Sequence, residues 1–380
     1  MKINLIKNNK FNSLSVNKTF FTLIFIVLVL SVFGVVFVYS ASNYSAEIIY
    51  GSKYYFFTKQ IIGVVLGISG LIFFYFYDYH KLEKIKNIIL IISFVLLVLV
   101  FVPFLGVENY GAKRWIGLFG ITIQPSEIAK FAFVIFSASY LSKNYNEVNN
   151  FKTFFPVIIV GALFCLLIIV EPNMSITMVM AITMLIMLFI GGIKIKYLVF
   201  MLVPAMFLAI VLIIIEPYRL SRLMAFINPW ANPKGEGYQL IQSLYGLAEG
   251  GFFGVGLFNS RQKYLFLPFA ESDFILSIIG EELGLFGTLI ILTLFAILCY
   301  LGIKISKNAS DRFGSYLAVG ITSVIIVQVL INIAVVTASM PPTGVPLPFI
   351  SAGSTSLLVF MSAIGILLNI NKNSLIYNTG

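Results

Sequence analysis

Residues 20–40 read FFTLIFIVLVLSVFGVVFVYS, an apolar run with no charged side chain in it. A helix needs about 20 such residues to cross ~30 Å of hydrocarbon. A strand of a membrane barrel would instead alternate over about ten residues, and this run does not alternate. Comparable runs recur at 56–77, 87–105, 127–142, 154–170, 174–192, 197–215, 273–303, 313–337 and 350–370. The pattern predicts an all-α integral membrane protein, one polytopic domain over residues 1–380 built as a bundle of about ten transmembrane helices. The 273–303 run exceeds a single crossing, so it is expected to tilt or project beyond the bilayer.

Composition points the same way. The chain is 59% hydrophobic and 11% charged, with mean hydropathy +1.00, whereas a soluble domain carries roughly 25% charged residues. The net charge of +10 does not indicate nucleic acid, because the basic residues sit in short loops between apolar runs and there act to orient the chain. Cys165 and Cys299 lie inside apolar runs and read as small buried hydrophobes. His80, the only histidine, reads as a solvated loop residue. Ser40-Ala41-Ser42 mimics a signal-peptide cleavage site, but the preceding core is longer than the usual 7–15 or so residues, so an uncleaved first helix is expected.

With the N-terminus inside, 15 of the 25 Lys and Arg residues fall in cytoplasmic segments, as the positive-inside rule requires. Both termini are then cytoplasmic, as tails 1–19 and 371–380. Three outer segments, 107–127, 216–272 and 338–350, are longer than minimal connectors. The second is a large extracytoplasmic loop between the seventh and eighth helices. Its aromatic residues, among them Trp230, Tyr238, Tyr245 and Tyr264, and its Gly250, Gly251, Gly254 and Gly256 argue for an ordered segment.

The residues able to carry chemistry gather in these three segments. The first contains Lys113, Arg114 and Trp115, followed by Pro125-Ser126-Glu127 and Lys130. Glu127 and Lys130, three apart, share a helix face. They read equally as an ion pair that fixes the bundle or as direct ligands. The second ends in Arg261-Gln262-Lys263 and leads to Asp273, an acid at the start of the eighth span, where the helix dipole alone would favour it. The third, 340–354, is dense in Pro and Gly at membrane depth, a property of backbone that is buried in protein or lines a wet cavity.

Taken together, the motifs Gly111-Ala112-Lys113-Arg114-Trp115-Ile116, Gln124-Pro125-Ser126-Glu127, Asn228-Pro229-Trp230, Gly237-Tyr238-Gln239, Gly280-Glu281-Glu282-Leu283-Gly284 and Thr343-Gly344-Val345-Pro346-Leu347-Pro348-Phe349-Ile350-Ser351 resemble the SEDS family of bacterial cell-wall proteins, FtsW, RodA and SpoVE. The likeness covers most of the chain from about Tyr110 to Leu368. Asn228-Pro229-Trp230, Ser260-Arg261-Gln262-Lys263 and Asn332-Ile333-Ala334-Val335 are more similar to the FtsW/SpoVE branch.

The resemblance implies a glycosyltransferase of the bacterial cytoplasmic membrane, working extracytoplasmically in cell division or sporulation. It would polymerise lipid II, an undecaprenyl-diphosphate disaccharide-peptide, into glycan strands. The family's essential aspartate maps onto Asp273. Substrate contacts are expected from Lys113, Arg114, Trp115, Glu127, Lys130, Gln239, Arg261, Gln262, Lys263 and Ser351. The expected partners are a class B penicillin-binding transpeptidase and other divisome or elongasome membrane proteins. Departures from the family pattern occur at Phe269, Glu271, Ser272, Asn173, Ser175 and Ser354.

The chemistry suits these residues. A diphosphate leaves without protonation if cations neutralise it, so one base suffices. Lys113, Arg114, Arg261 and Lys263 are the candidate clamp, with no tightly bound cofactor and with a divalent cation, Mg or Mn, as a further aid. A lipid II transporter is the alternative, and a non-catalytic scaffold the third reading. A transporter site is expected near the midplane at a repeat interface, and the sequence shows no repeat.

Overall fold

The computed structural model describes residues 2–109, 112–118, 121–147 and 150–377. Its helices are α1 (Lys2–Tyr50), α2 (Tyr55–Phe76), α3 (Tyr79–Leu99), α4 (Pro125–Lys143), α5 (Phe155–Val170), α6 (Met174–Ile190), α7 (Ile195–Ile215), α8 (Pro217–Ile227), α9 (Tyr238–Gly250), α10 (Ile275–Asn308), α11 (Arg312–Val336) and α12 (Ser354–Tyr377). Each apolar run in the sequence overlaps one of these helices. Among the described residues, six helical stretches are long and apolar enough to cross a membrane, namely Lys18–Tyr50, α2, Phe151–Val170 (α5 with the turn that leads into it), α10, α11 and Ser354–Ser374, and α6 and part of α7 are shorter apolar helices. Helix α1 runs unbroken through Ser40-Ala41-Ser42, whose side chains are buried.

Helix α11 occupies the middle of the bundle, packed on α4, α6 and α10, while α12 lies along α2. Much of α7 is exposed apolar surface, as befits a helix solvated by lipid. Tight crossings depend on small residues: on α2, Gly63 meets Ser354 and Gly67 meets Met361.

Two expectations need correction. The protein is not purely helical, because strands β1 (Gly106–Asn109), β2 (Ala112–Leu118) and β3 (Ile121–Ile123) form an antiparallel sheet in the order β1-β2-β3. Val107 pairs with Trp115 and Ile116 with Ile123, with a bulge at Val107/Glu108. Strands of three to seven residues are too short to assert a period against flanking apolar runs. Nor is the 273–303 run one continuous helix: α10 breaks at Gly284, whose φ of 67° and ψ of −167° are not helical. The 250–256 segment replaces the interrupted backbone bonds. Leu285 and Phe286 donate to the carbonyls of Gly251 and Phe252, while Val255 and Gly256 donate to those of Glu281 and Glu282. A side chain at position 284 would collide with the Gly254 backbone.

Residues 216–272 carry α8 and α9. Cys165 and Cys299 are free thiols. His80, expected in a loop, lies instead in the first turn of α3; it is half-exposed, with Asp78 at 2.8 Å and Asp311 at 3.6 Å.

Candidate active site

Asp273 lies one residue before the N-cap of α10, held from three sides. Asn332 of α11 donates to its backbone carbonyl (2.8 Å) and to that of Val345 (2.7 Å), tying α11 to both segments. Ser351 donates to the Ser272 carbonyl (2.6 Å) and accepts from the Leu347 amide (2.7 Å). The Ala352 amide donates to the Glu271 carbonyl. The Pro-rich segment is thus a rigid turn against Asp273, with Gly344 facing its carboxylate.

Two arginines flank this carboxylate. Arg114 reaches in from β2 and donates to the carbonyls of Glu171 and Pro172. Arg222 of α8 donates to the Pro342 carbonyl (2.7 Å), with its guanidinium 4.4 Å from the Tyr218 ring centre. Burial pushes the Asp273 carboxyl up to about 6, against the pull of Arg114 and Arg222. It is therefore still ionised at neutral pH and more basic than an ordinary aspartate, near 3.9. Burial also pulls the Arg114 guanidinium below its usual value, opposed chiefly by the Asp273 charge.

Beside the pair lies a cavity of about 130 Å³ between α6, α7, α8 and residues 340–344. Arg114 and Arg222 give it charge, and Met174, Met178, Ile213 and Met340 give it an apolar side. Tyr218 and Arg222 also wall a second, more open cleft of about 430 Å³, lined by Asn232, Lys234, Glu236 and Gln239. Several buried polar atoms near the first cavity have no partner: Arg222 Nε, Thr343 Oγ1, Asn332 Oδ1, Asn173 Nδ2 and both Glu171 carboxylate oxygens. Buried groups of this kind are normally paired, and Arg222 and Thr343 place two of these open atoms in the cavity lining.

Of the residues expected at the site, Arg114 lines the first cavity, Asp273 lies against its Gly344 wall, Ser351 supports the backbone beside Asp273, and Gln239 lines the second cleft. Lys113 is exposed, and alternation along β2 places it and Trp115 on the face opposite Arg114. The Arg261 side chain is exposed. Gln262 and Lys263 are buried elsewhere: the Lys263 ammonium donates to the Phe258 carbonyl and lies 3.7 Å from Glu282. Residues 260–262 wrap the Glu281 carboxylate with the Ser260 hydroxyl and the Arg261 and Gln262 amides. This segment splints the α10 break and is not part of a clamp at the cavity.

Glu127 and Lys130 form the ion pair, 2.9 Å apart and fully buried. Ser356 donates to the second Glu127 oxygen (3.2 Å), and Lys130 also donates to Gln328, whose amide donates to Pro346 (2.8 Å). The pair thus braces the Pro-rich turn from beneath. Sequence reading missed Arg222, Tyr218, Asn332 and Glu171. The signal for Arg222 was available: Arg219 and Arg222, three apart, follow the helix-starting Pro217 in the outer loop.

Among the described residues, no group of three or more His, Cys, Asp or Glu is arranged to hold a metal ion.

Comparison with known proteins fits this architecture. Stage V sporulation protein E of Bacillus subtilis is 39% identical over 354 residues, covering 93% of this chain and 96% of the relative. A probable peptidoglycan glycosyltransferase FtsW of Geobacter sp. (strain M18) is 37% identical over 345 residues, covering 90% and 94%. Among solved structures, a chain of a peptidoglycan synthase complex that coordinates polymerization and crosslinking superposes with a TM-score of 0.77 at 22% identity, covering 93% of this chain and 97% of that one. The rod shape determining protein RodA of Thermus thermophilus gives 0.68 at 20% identity, covering 92% and 96%. The cell cycle protein model FtsW/RodA/SpoVE matches residues 21–375, and the chain belongs to that family.

Proposed function

We propose that the protein is a peptidoglycan glycosyltransferase that polymerises lipid II. The observation that carries this reading is a single carboxylate, Asp273, flanked by Arg114 and Arg222 beside a cavity with an apolar side. The relatives named for the same activity support it.

In the reaction, the acceptor sugar hydroxyl attacks the anomeric carbon of the donor. The new glycosidic bond forms as the carbon–oxygen bond to the diphosphate breaks. Asp273 takes the hydroxyl proton, and the diphosphate departs with its negative charge against Arg114 and Arg222. Cations fixed before the reaction stabilise charge as it develops, most effectively where water is excluded. With Asp273 acting as base and not as nucleophile, direct displacement of the diphosphate inverts the anomeric carbon. A divalent cation carried on the diphosphate would be held mainly by substrate oxygens and would add to the positive charge that Arg114 and Arg222 offer the leaving group.

The finer topology belongs to the same proposal. Ten crossings with both termini cytoplasmic put Asp273, α8 and α9 on the outer face of the cytoplasmic membrane. There the α6–α7 side of the cavity lets a polyprenyl tail stay in lipid. A class B penicillin-binding transpeptidase is the proposed partner, supported by the likeness to a chain of a synthase complex that couples polymerization to crosslinking.

The transporter reading loses its best feature, because Glu127 and Lys130 are paired with each other, Ser356 and Gln328. The test is incubation of the purified full chain, with its transpeptidase, with lipid II. Glycan ladders are expected. Movement of lipid II across liposomes without any polymer would favour transport.

A further inference from the structure

Glu171 closes α5, and neither oxygen of its carboxyl has a hydrogen-bond partner although the side chain is wholly buried. A buried, unpaired carboxylate is strongly disfavoured, and such a group keeps its proton instead. The nearest source of relief is Arg114. Yet Arg114 spends its donors on the backbone carbonyls of Glu171 and Pro172 and leaves the carboxyl untouched. The guanidinium is thereby fixed in place at the cavity wall without being neutralised.

We propose that Glu171 is a positioning residue that, by holding its proton, leaves the charge of Arg114 free for the diphosphate of the substrate. The inference rests on the glycosyltransferase reading and names how that site gains its anion affinity. The titratable and charged groups acting on Arg114 are Asp273, Tyr218, Arg222 and Glu171, from the α10 approach, α8 and the α5–α6 connection. With Glu171 neutral, the two arginines and Asp273 leave one net positive charge at the cavity. With Glu171 ionised, that charge is cancelled. Burial pushes the Glu171 carboxyl up to about 8, with Arg114 opposing, so the neutral form prevails at neutral pH. An arriving diphosphate, itself negative, reinforces the proton on Glu171, so binding and protonation are linked in both directions.

The test measures binding of lipid II itself to the full chain in nanodiscs between pH 7 and pH 9, a range above the Asp273 titration. Wild-type affinity is expected to weaken about tenfold across it, following loss of one proton near pH 8. Glu171→Gln, neutral at every pH and nearly isosteric, should hold the pH 7 affinity throughout. A second measurement needs no variant: calorimetry at pH 8 in buffers of different ionisation enthalpy should show uptake of about half a proton on binding. Flat wild-type affinity, no proton uptake, or the same pH dependence in Glu171→Gln would overturn the inference. Because neither assay needs turnover, failure here is separable from failure of the enzyme reading. Linked binding without glycan synthesis would remove the enzyme and keep the linkage, and flat binding by an active polymerase would do the reverse.

Discussion

Gly344 stands so close to Asp273 that a Cβ built on it would lie 2.5 Å from the Oδ2 oxygen. No side chain fits between the Pro-rich turn and the carboxylate. Gly344→Ala should therefore displace Asp273 rather than unfold the bundle, since Val345, Leu347 and Phe349 still anchor the turn in the core. We expect kcat to fall by about 10²-fold, the scale of a small misplacement at a reacting centre, with the thermal midpoint little changed. Polymerisation kinetics and a melting curve on the same preparation check both halves.

Arg222 is the second arginine of the proposed clamp, and its removal should be costly. Arg222→Gln should lower kcat by roughly 10²–10³-fold, the usual loss on removing a group that stabilises developing charge. Lys263→Gln acts differently. It leaves Glu282 in the α10 break without its ammonium partner, so stability should fall while kcat per folded molecule holds. Comparing the two variants by activity per folded protein separates clamp from splint.

The acid limb of the pH profile should belong to Asp273. As the proposed base it must be ionised, and burial raises its carboxyl to about 6. Activity is therefore full above that pH and falls about tenfold per unit below it. Arg114 and Arg222 both pull this value down, so Arg222→Gln should move the inflection to higher pH. An inflection that stayed put or moved down would remove Arg222 from the field at Asp273.

Glu127 and Lys130 should behave as a structural pair. Lys130→Met alone leaves a buried, unpaired carboxylate, a loss on the order of 3–5 kcal/mol. The double change Lys130→Met with Glu127→Gln should restore much of that stability. If the pair bound substrate directly, the double variant would fold yet show the same loss of lipid II affinity as the single one.

What the sequence made legible follows from the range of the forces involved. The spans were readable because 20 apolar residues in a row have one low-energy environment. Asp273 and Arg114 were singled out only through motifs that resemble the family's, because an acid at a helix start is favoured by the dipole alone. The break in α10 was not, because Gly284 adopts its left-handed conformation only with the 250–256 strand of backbone beside it. The choice among cations was also hidden. Arg114, Arg261 and Lys263 look alike in a motif, and packing alone turns one to the cavity, one to solvent and one to Glu282. Sheet β1–β3 escaped because its register is set by tertiary contacts, among them Thr355 donating to Thr122, and not by a long alternating run.

The most direct test of the account is lipid II polymerisation by Asp273→Asn against wild type, with the partner transpeptidase present and equal folding shown by melting. Asparagine keeps the size and the backbone bond to Asn332 but accepts no proton. The account predicts glycan ladders from wild type and none from the variant, with lipid II still bound. Ladders of ordinary length and rate from Asp273→Asn would contradict it.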